Sequence, residues 1–513
     1  MAPLTSKLAR SLAVLKAVQD NGQVAIPAEQ LSRTHRQRLL KGGFIRPVMR
    51  GWYIASRPDE QPGDSTGWYT SFWGFCAAYL EHRFGAEWCL SPEQSISLHI
   101  GNRTVPLQLL IRSPQGGNKP FPLPFGTSLF DVRLKLPATA DMVVQEGLRL
   151  FSLPAALIAC APGQFIAQPV DLRTGLAMIT DASDILPRLL EGGHSVVAGR
   201  LAGAMRTLGK TRVADQIAQT MRTAGFVINE TNPFEDKSNL AIQARETSPY
   251  VNRMRLMWER MREPILRTFP AAPGLPQDAQ AFLKDVDDIY VTDAYNSLSI
   301  EGYRVTAQLI ERVQSGNWNP DNDENDRQNR NALAARGYWQ AFQSVKASVT
   351  RILEGQNSGD VVDRDSNDWY VQLFEPSVAA GIIGLGDLAG YRNGPAYIRR
   401  SMHVPPSAEA IRAMMPTFFE LLRAEPEPAV RSVLGHFVFV YIHPYMDGNG
   451  RTGRFLMNAM LASGGYPWTI IPVERRNQYM ASLEAASAGQ DIQPFATFIA
   501  ALLTQGTSIV KSF

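Results

Sequence analysis

One stretch in the last quarter of the chain constrains its fold most: two apolar runs with a short polar loop between them. The first run, Ser432 to Ile442, is uncharged and almost wholly apolar. It falls short of the roughly 18 residues that span a bilayer, so it reads as a buried element. The second run, Phe455 to Leu461, is apolar and periodic. The pair predicts two buried helices. The loop and the start of the second helix read His443-Pro444-Tyr445-Met446-Asp447-Gly448-Asn449-Gly450-Arg451-Thr452-Gly453-Arg454. Burying both runs puts His443 at the end of one helix and Arg451 near the start of the next.

The residue types suit phosphate chemistry. A Gly-Asn-Gly turn at a helix N-terminus exposes backbone N–H groups, and the dipole there favours an anion. Arg451 and Arg454 are three apart, on one helix face, and both can fork onto phosphate oxygens. Asp447 supplies one hard carboxylate, suited to Mg²⁺ already carried by a nucleotide. His443 is the natural general base, because imidazole titrates near neutrality.

The stretch resembles the Fic motif, HxFx(D/E)GNGRxxR, at every position but one: Tyr445 stands where the family usually has Phe. It differs from the Doc branch, which lacks the Gly-Asn-Gly-Arg core. The resemblance implies a protein adenylyltransferase, moving AMP from Mg·ATP to a Ser, Thr or Tyr hydroxyl of a target protein. By the same resemblance His443 would be the base and Asp447 the Mg²⁺ ligand. Gly448, Asn449 and Gly450 would cradle the phosphates, and Arg451 and Arg454 would hold the β- and γ-phosphates and the leaving pyrophosphate. Positioning and charge neutralisation are what phosphoryl transfer needs.

Upstream, Asp288 to Ile300 reads as a helix ending at Glu301-Gly302, with Gly302 a plausible residue just past its end. Ser297 and Glu301 share a face. Ser297-Leu298-Ser299-Ile300-Glu301-Gly302 resembles the family's inhibitory motif, (S/T)xxxE(G/N), in the class where it lies N-terminal in the same chain. That implies Glu301 pairing with Arg454 and low basal activity. Leu388 to Pro406 resembles the family's flap, two short strands that hold a target by strand addition, with Arg399-Arg400 at its tip. Tyr479, on a helix from Arg475 to Ala485, is a candidate for the adenine side. The resemblance covers about residues 245–505.

The amino-terminal end is different. Its first 57 residues hold ten basic residues against two acidic ones, a net of +8 against +3 for the whole chain. Such asymmetry suggests a polyanion partner. Leu8, Leu12, Leu15 and Val18 have helical spacing, and a basic helix with Arg33, Arg36 and Arg38 follows Pro27. A hairpin with Arg46 and Arg50 comes next. That outline is a winged helix-turn-helix, which points to DNA. The segment also resembles AbiEi-type antitoxins, and the region after it resembles their second domain. Ile96 to Ile100 and Leu107 to Ile111 read as strands, and 171–226 as a run of helices.

The expected organisation is therefore multidomain. A winged helix covers 1–60, an α+β region 61–228, a linker 229–246, and a mainly α-helical domain with a hairpin flap 247–513, its inhibitory helix around 288–302. Apolar content is 45%, ordinary for a globular chain. No run is long enough for a membrane helix and no signal-peptide core stands at the N-terminus, so the expectation is cytoplasmic. Cys76, Cys89 and Cys160 form no close ligand pair. A homodimer and self-modification are further expectations from the resemblance. Two alternatives stand beside the leading one. One is a DNA-binding regulator or antitoxin whose nucleotide site only senses. The other is a Fic enzyme that uses another nucleotide, transfers phosphocholine, or removes AMP.

Overall fold

The computed structural model describes residues 4–58, 60, 63–235, 248–316 and 330–509. The chain forms two compact units, Met1–Arg253 with Tyr397–Val404, and Met254–Ala396 with Pro405–Phe513.

The first unit begins with helix Leu4–Asp20, a short 3-10 turn Ala28–Gln30, and helix Arg33–Lys41. Ser32 caps that second helix by accepting from His35 N–H at 3.3 Å, as its position before the basic run predicts. Strands Ala25–Pro27, Ile45–Met49 and Trp52–Ala55 form an antiparallel sheet with Trp52–Ala55 in the middle. Leu15, Ile26, Leu31, Leu39 and Ile45 make its small core. Helix Thr66–Phe84 follows; its Phe75 and Tyr79 stack on each other and meet Trp52 edge-on. A four-stranded sheet then pairs Gln108–Ser113 parallel to Ser128–Arg133. The strand expected at Ile96 to Ile100 is instead part of helix Pro92–His99. Ser91 caps it, Pro92 opens it and Glu93 favours its first turn, and those signals outweigh the β-branched content. Helices Pro169–Met178, Leu186–Glu191, Ser195–Thr207 and Thr211–Thr223 fill the remainder as expected. The linker expected at 229–246 lies partly outside the described residues; 229–235 has no helix or strand.

The segment Tyr397–Val404 folds with this unit. The backbone N–H of Val105 donates to the Met402 carbonyl at 2.9 Å. Arg399 pairs with Asp64 at 3.1 Å, and Arg400 N–H donates to Thr66 Oγ1 at 3.0 Å. Met402 and Val404 pack on the aromatic core.

The second unit is helical. Helices Arg330–Leu353 and Ser358–Ala379 pack as a pair, brought close where Gly337 lies against the carbonyl of Leu373. Helix Pro428–Ile442 (the histidine helix) and helix Asn449–Ala462 (the arginine helix) lie almost wholly buried, side by side. Tyr290–Ile300 (the glutamate helix) starts two residues after the expected Asp288, which instead ends the separate helix Ala279–Asp288. No ladder forms among residues 388–406, so the flap is not a hairpin of strands. Arg392 fixes the loop instead. Its backbone N–H donates to Pro444 O at 2.9 Å, and its guanidinium reaches the carbonyls of His443, Gly394 and Pro406. Pro405 and Pro406 also lack the N–H a ladder needs. Among the described residues no helix is long and apolar enough to cross a membrane.

Candidate active site

The histidine helix ends at His443, which sits in the left-handed region at φ 54°. That conformation is uncommon for a side chain larger than glycine and marks a site held by its surroundings. Its Nδ1 lies 3.3 Å from the Val440 carbonyl. A carbonyl only accepts, so Nδ1 carries the proton and Nε2 keeps a free lone pair. Burial, helped by Arg392, pushes the imidazole down to about 4 against the opposing effects of Val440, Glu301 and Asp447. His443 is therefore neutral at neutral pH.

The loop is pinned by its own residues. Tyr445 is buried and stacks on Tyr370 with centroids 3.7 Å apart. The Asn449 amide folds back on the Tyr445 backbone, accepting from its N–H at 2.9 Å and donating to its carbonyl at 2.7 Å. Asn449 thus shapes the cradle with its side chain rather than offering that side chain to a ligand. Gly448 stands at the N-cap in the left-handed region, and a Cβ there would meet the Phe374 ring at 2.8 Å. Only glycine fits. Asp447 receives the Gly448 N–H at 2.6 Å and keeps an exposed carboxylate. Among the described residues no group of three or more His, Cys, Asp or Glu could hold a metal. One carboxylate fits a Mg²⁺ that arrives with a nucleotide.

Both arginines are buried. Arg451 lies between the rings of Tyr303 and Phe374, at 5.3 and 4.9 Å, and reaches Asp447 at 3.4 Å. Arg454 donates to Glu301 Oε1 at 2.7 Å, to Ser297 Oγ at 2.9 Å and to the Ser297 carbonyl at 3.1 Å. Burial alone would lower the Arg454 guanidinium, and the Glu301 carboxylate raises it well above its ordinary value. Nε of Arg451 and Nη1 of Arg454 are buried without a well-formed hydrogen bond among the described residues. Two orphaned cationic donors beside a helix N-terminus fit an absent anion. A Cβ on Gly450 would lie 2.3 Å from Glu301 Oε1 and 3.2 Å from Arg454 Nη1. The Glu301 carboxylate therefore sits in the first turn of the arginine helix. Gly302 takes φ +89° just beyond the glutamate helix, as its position predicts.

The expected Tyr479 is a core residue, not an open face. It is 1% exposed, and its hydroxyl lies 2.7 Å from His436 Nε2. His436 is itself fully buried and pushed down to about 4 by that burial. Of the five arginines named for DNA, Arg33 and Arg50 are exposed and Arg38 is half-buried. Arg36 is tied to the Ala28 carbonyl at 3.0 Å. Arg46 is tied to Glu60 and the Asp64 carbonyl, both at 3.3 Å. Arg399 and Arg400, expected at a free flap tip, are engaged by Asp64 and Thr66. Residues not singled out in the sequence also line the site: Tyr303, Phe374, Tyr370 and Arg392. Tyr303 follows the Glu301-Gly302 pair and Arg392 lies within residues 388–406, but their side chains carry no local sign of facing the site.

Residues 367–461, which carry this loop and its two helices, match the model of the Fic/DOC family. Protein adenylyltransferase Fic of Drosophila yakuba is 30% identical over 217 residues, 42% of this chain and 40% of its own length. The protein of the same name in Drosophila mojavensis is 28% identical over 271 residues, 51% of this chain and 50% of its own. The chain thus spans about half or less of the length of these relatives. A solved fragment of C. elegans Fic-1 covers 61% of this chain and 85% of its own at 20% identity, with a TM-score of 0.36.

Proposed function

We propose that this protein is an adenylyltransferase that moves AMP from Mg·ATP to a Ser, Thr or Tyr hydroxyl of a protein, and that Glu301 holds it inactive. One observation carries the reading: the Glu301 carboxylate lies on Arg454 in the anion seat of the glycine loop. In the released state, Arg454 and Arg451 bind the outer phosphates through the donors now orphaned. The backbone N–H groups around Gly448 to Gly450 hold the inner ones. Asp447 would hold Mg²⁺, which supplies charge neutralisation on the phosphates when bound. His443 Nε2 takes the proton of the target hydroxyl as its oxygen bonds to the α-phosphorus. The bond from that phosphorus to the bridging oxygen breaks, and pyrophosphate leaves against the arginines.

The test is label from ATP marked at the α-phosphate, read on protein in the presence of a lysate. Glu301→Gly should raise label well above wild type, and adding His443→Ala should abolish it. No rise with Glu301→Gly would sink the inhibition; label that survives His443→Ala would sink the base.

A second reading concerns the amino terminus. A helix, a strand, a short 3-10 helix, a basic helix and two further strands follow one another there, the strands joining in one sheet, with a net charge of +8 over the first 57 residues. This supports DNA binding, as a regulator- or antitoxin-like module beside the transfer site. Arg33, Arg38 and Arg50 are then the contacts to phosphate, with Arg36 and Arg46 bracing the module.

A further inference from the structure

The two arginines of the site stand about one helical turn apart, yet different chemistry holds each. Arg454 is gripped through its donors: Nε and Nη2 are taken up by Ser297 and Glu301. Arg451 is gripped through its charge and plane. Its guanidinium lies over the rings of Tyr303, at 5.3 Å, and Phe374, at 4.9 Å. An aromatic face attracts a guanidinium by its quadrupole and takes up no N–H. A carboxylate fills the N–H groups that it attracts. Nη2 of Arg451 makes a long 3.4 Å contact with Asp447, and Nε is buried without a well-formed hydrogen bond among the described residues. The rings therefore keep a buried cation in place while leaving it donors for an anion.

Both rings are themselves fixed. Phe374 is buried on helix Ser358–Ala379, against Tyr370 with centroids 5.4 Å apart. Tyr303 is set by the turn that ends the glutamate helix. Gly302 N–H donates to the Ser299 carbonyl at 3.0 Å, and Tyr303 N–H donates to the Leu298 carbonyl at 3.1 Å. With Gly302 in the left-handed region, those two bonds make a Schellman closure. The next N–H, of Arg304, donates to Asn331 Oδ1 at 3.1 Å, and Arg330 lies over the Tyr303 ring at 5.4 Å. One tight turn thus presents a carboxylate to Arg454 and, two residues on, a ring to Arg451.

We propose that Tyr303 is a positioning residue for nucleotide binding: with Phe374, its ring holds the Arg451 guanidinium ready for the outer phosphates, which rests on the role given to Arg451 above. The segment that carries the inhibitory glutamate then also builds part of the seat. Glu301 occupies Arg454 in the closed state, whereas Arg451 stays prepared throughout.

The test measures affinity for ATP and for AMP by calorimetry, with Mg²⁺ and the full chain. The background is Glu301→Ala, which frees Arg454 without adding a second glycine to the turn. Into it go Tyr303→Leu, Tyr303→Phe and, separately, Arg451→Met, with thermal unfolding of each. Tyr303→Leu should weaken ATP by about three- to tenfold, the size of one cation–ring contact. It should leave AMP unchanged, because AMP lacks the outer phosphates. Tyr303→Phe keeps the ring face and should bind ATP as the background does. Equal ATP affinity for Tyr303→Leu and the background overturns the proposal. So does a loss in Tyr303→Phe as large as in Tyr303→Leu, or a loss of AMP by the same factor as ATP, which is what a merely structural role would give. Should Tyr303→Leu fail to fold, Tyr303→Met, flexible and without a ring, carries the comparison. Undiminished ATP affinity in Arg451→Met removes the phosphate role of Arg451 itself, and the proposal with it.

Discussion

His443 has a pH signature. Its imidazole falls from 6.5 to about 4 through burial, so the folded state prefers the neutral form. The stability this contributes is whole above pH 6.5 and is lost as the pH falls through about 4, because the unfolded histidine gains a proton first. The base is likewise ready over that range. Transfer by Glu301→Gly should therefore stay level from neutral pH to about 5 and drop only below that. An acid limb centred at 6.5 would mean that His443 titrates like an exposed imidazole. Gly450 makes a second prediction. Alanine suits a helix better than glycine, and the nearest atom to its Cβ would be Oε1 at the far end of the Glu301 side chain, at 2.3 Å. Gly450→Ala should keep the unfolding midpoint within a few degrees yet lower ATP affinity by roughly tenfold or more, about 1.4 kcal/mol. Unchanged affinity by calorimetry would place the phosphates elsewhere.

The glutamate helix stops at a glycine with φ +89° whose Cβ would meet nothing within 4 Å. The cost of Gly302→Ala is then conformational alone, about 1 kcal/mol. Denaturant unfolding of the second unit should show that loss, and basal label should rise as the end bearing Glu301 frays. No change in either would mean that the turn tolerates a side chain. The site's elements were the legible part of this chain. The apolar runs flanking the loop, His443 at a helix end, a glycine turn at a helix N-terminus and Gly302 past a helix were readable from spacing, whereas Glu301 on Arg454 was implied only by the resemblance to a family motif. Three readings went wrong for local reasons. Residues 96–100 look β-branched, but the Ser-Pro-Glu cap before them makes a helix. Residues 388–406 look like a hairpin, but Arg392 and two prolines supply other bonds. Tyr479 lies on a helix with no local sign of which face is buried.

The charge asymmetry belongs to the whole molecule. If the amino terminus grips a nucleic acid, duplex DNA should bind the intact protein with an affinity that falls steeply between about 50 and 200 mM salt. Arg33→Ala and Arg50→Ala should weaken binding without lowering stability. Arg46→Ala should lower stability instead, because Arg46 is braced by Glu60. Absent or salt-insensitive binding in a filter or anisotropy assay removes the reading. The path of the chain has a practical side as well. It leaves the first unit after Arg253, returns to it for Tyr397–Val404, and leaves again. A single cut does not divide such a molecule. Excising residues 254–513 would strip Met402 and Val404 of the aromatic surface that covers them, and would leave Arg399 and Arg400 without Asp64 and Thr66. An isolated catalytic fragment then carries a raw, sticky loop that the intact protein never shows. Differences in activity or solubility between fragment and whole will report that wound along with the loss of the amino-terminal half.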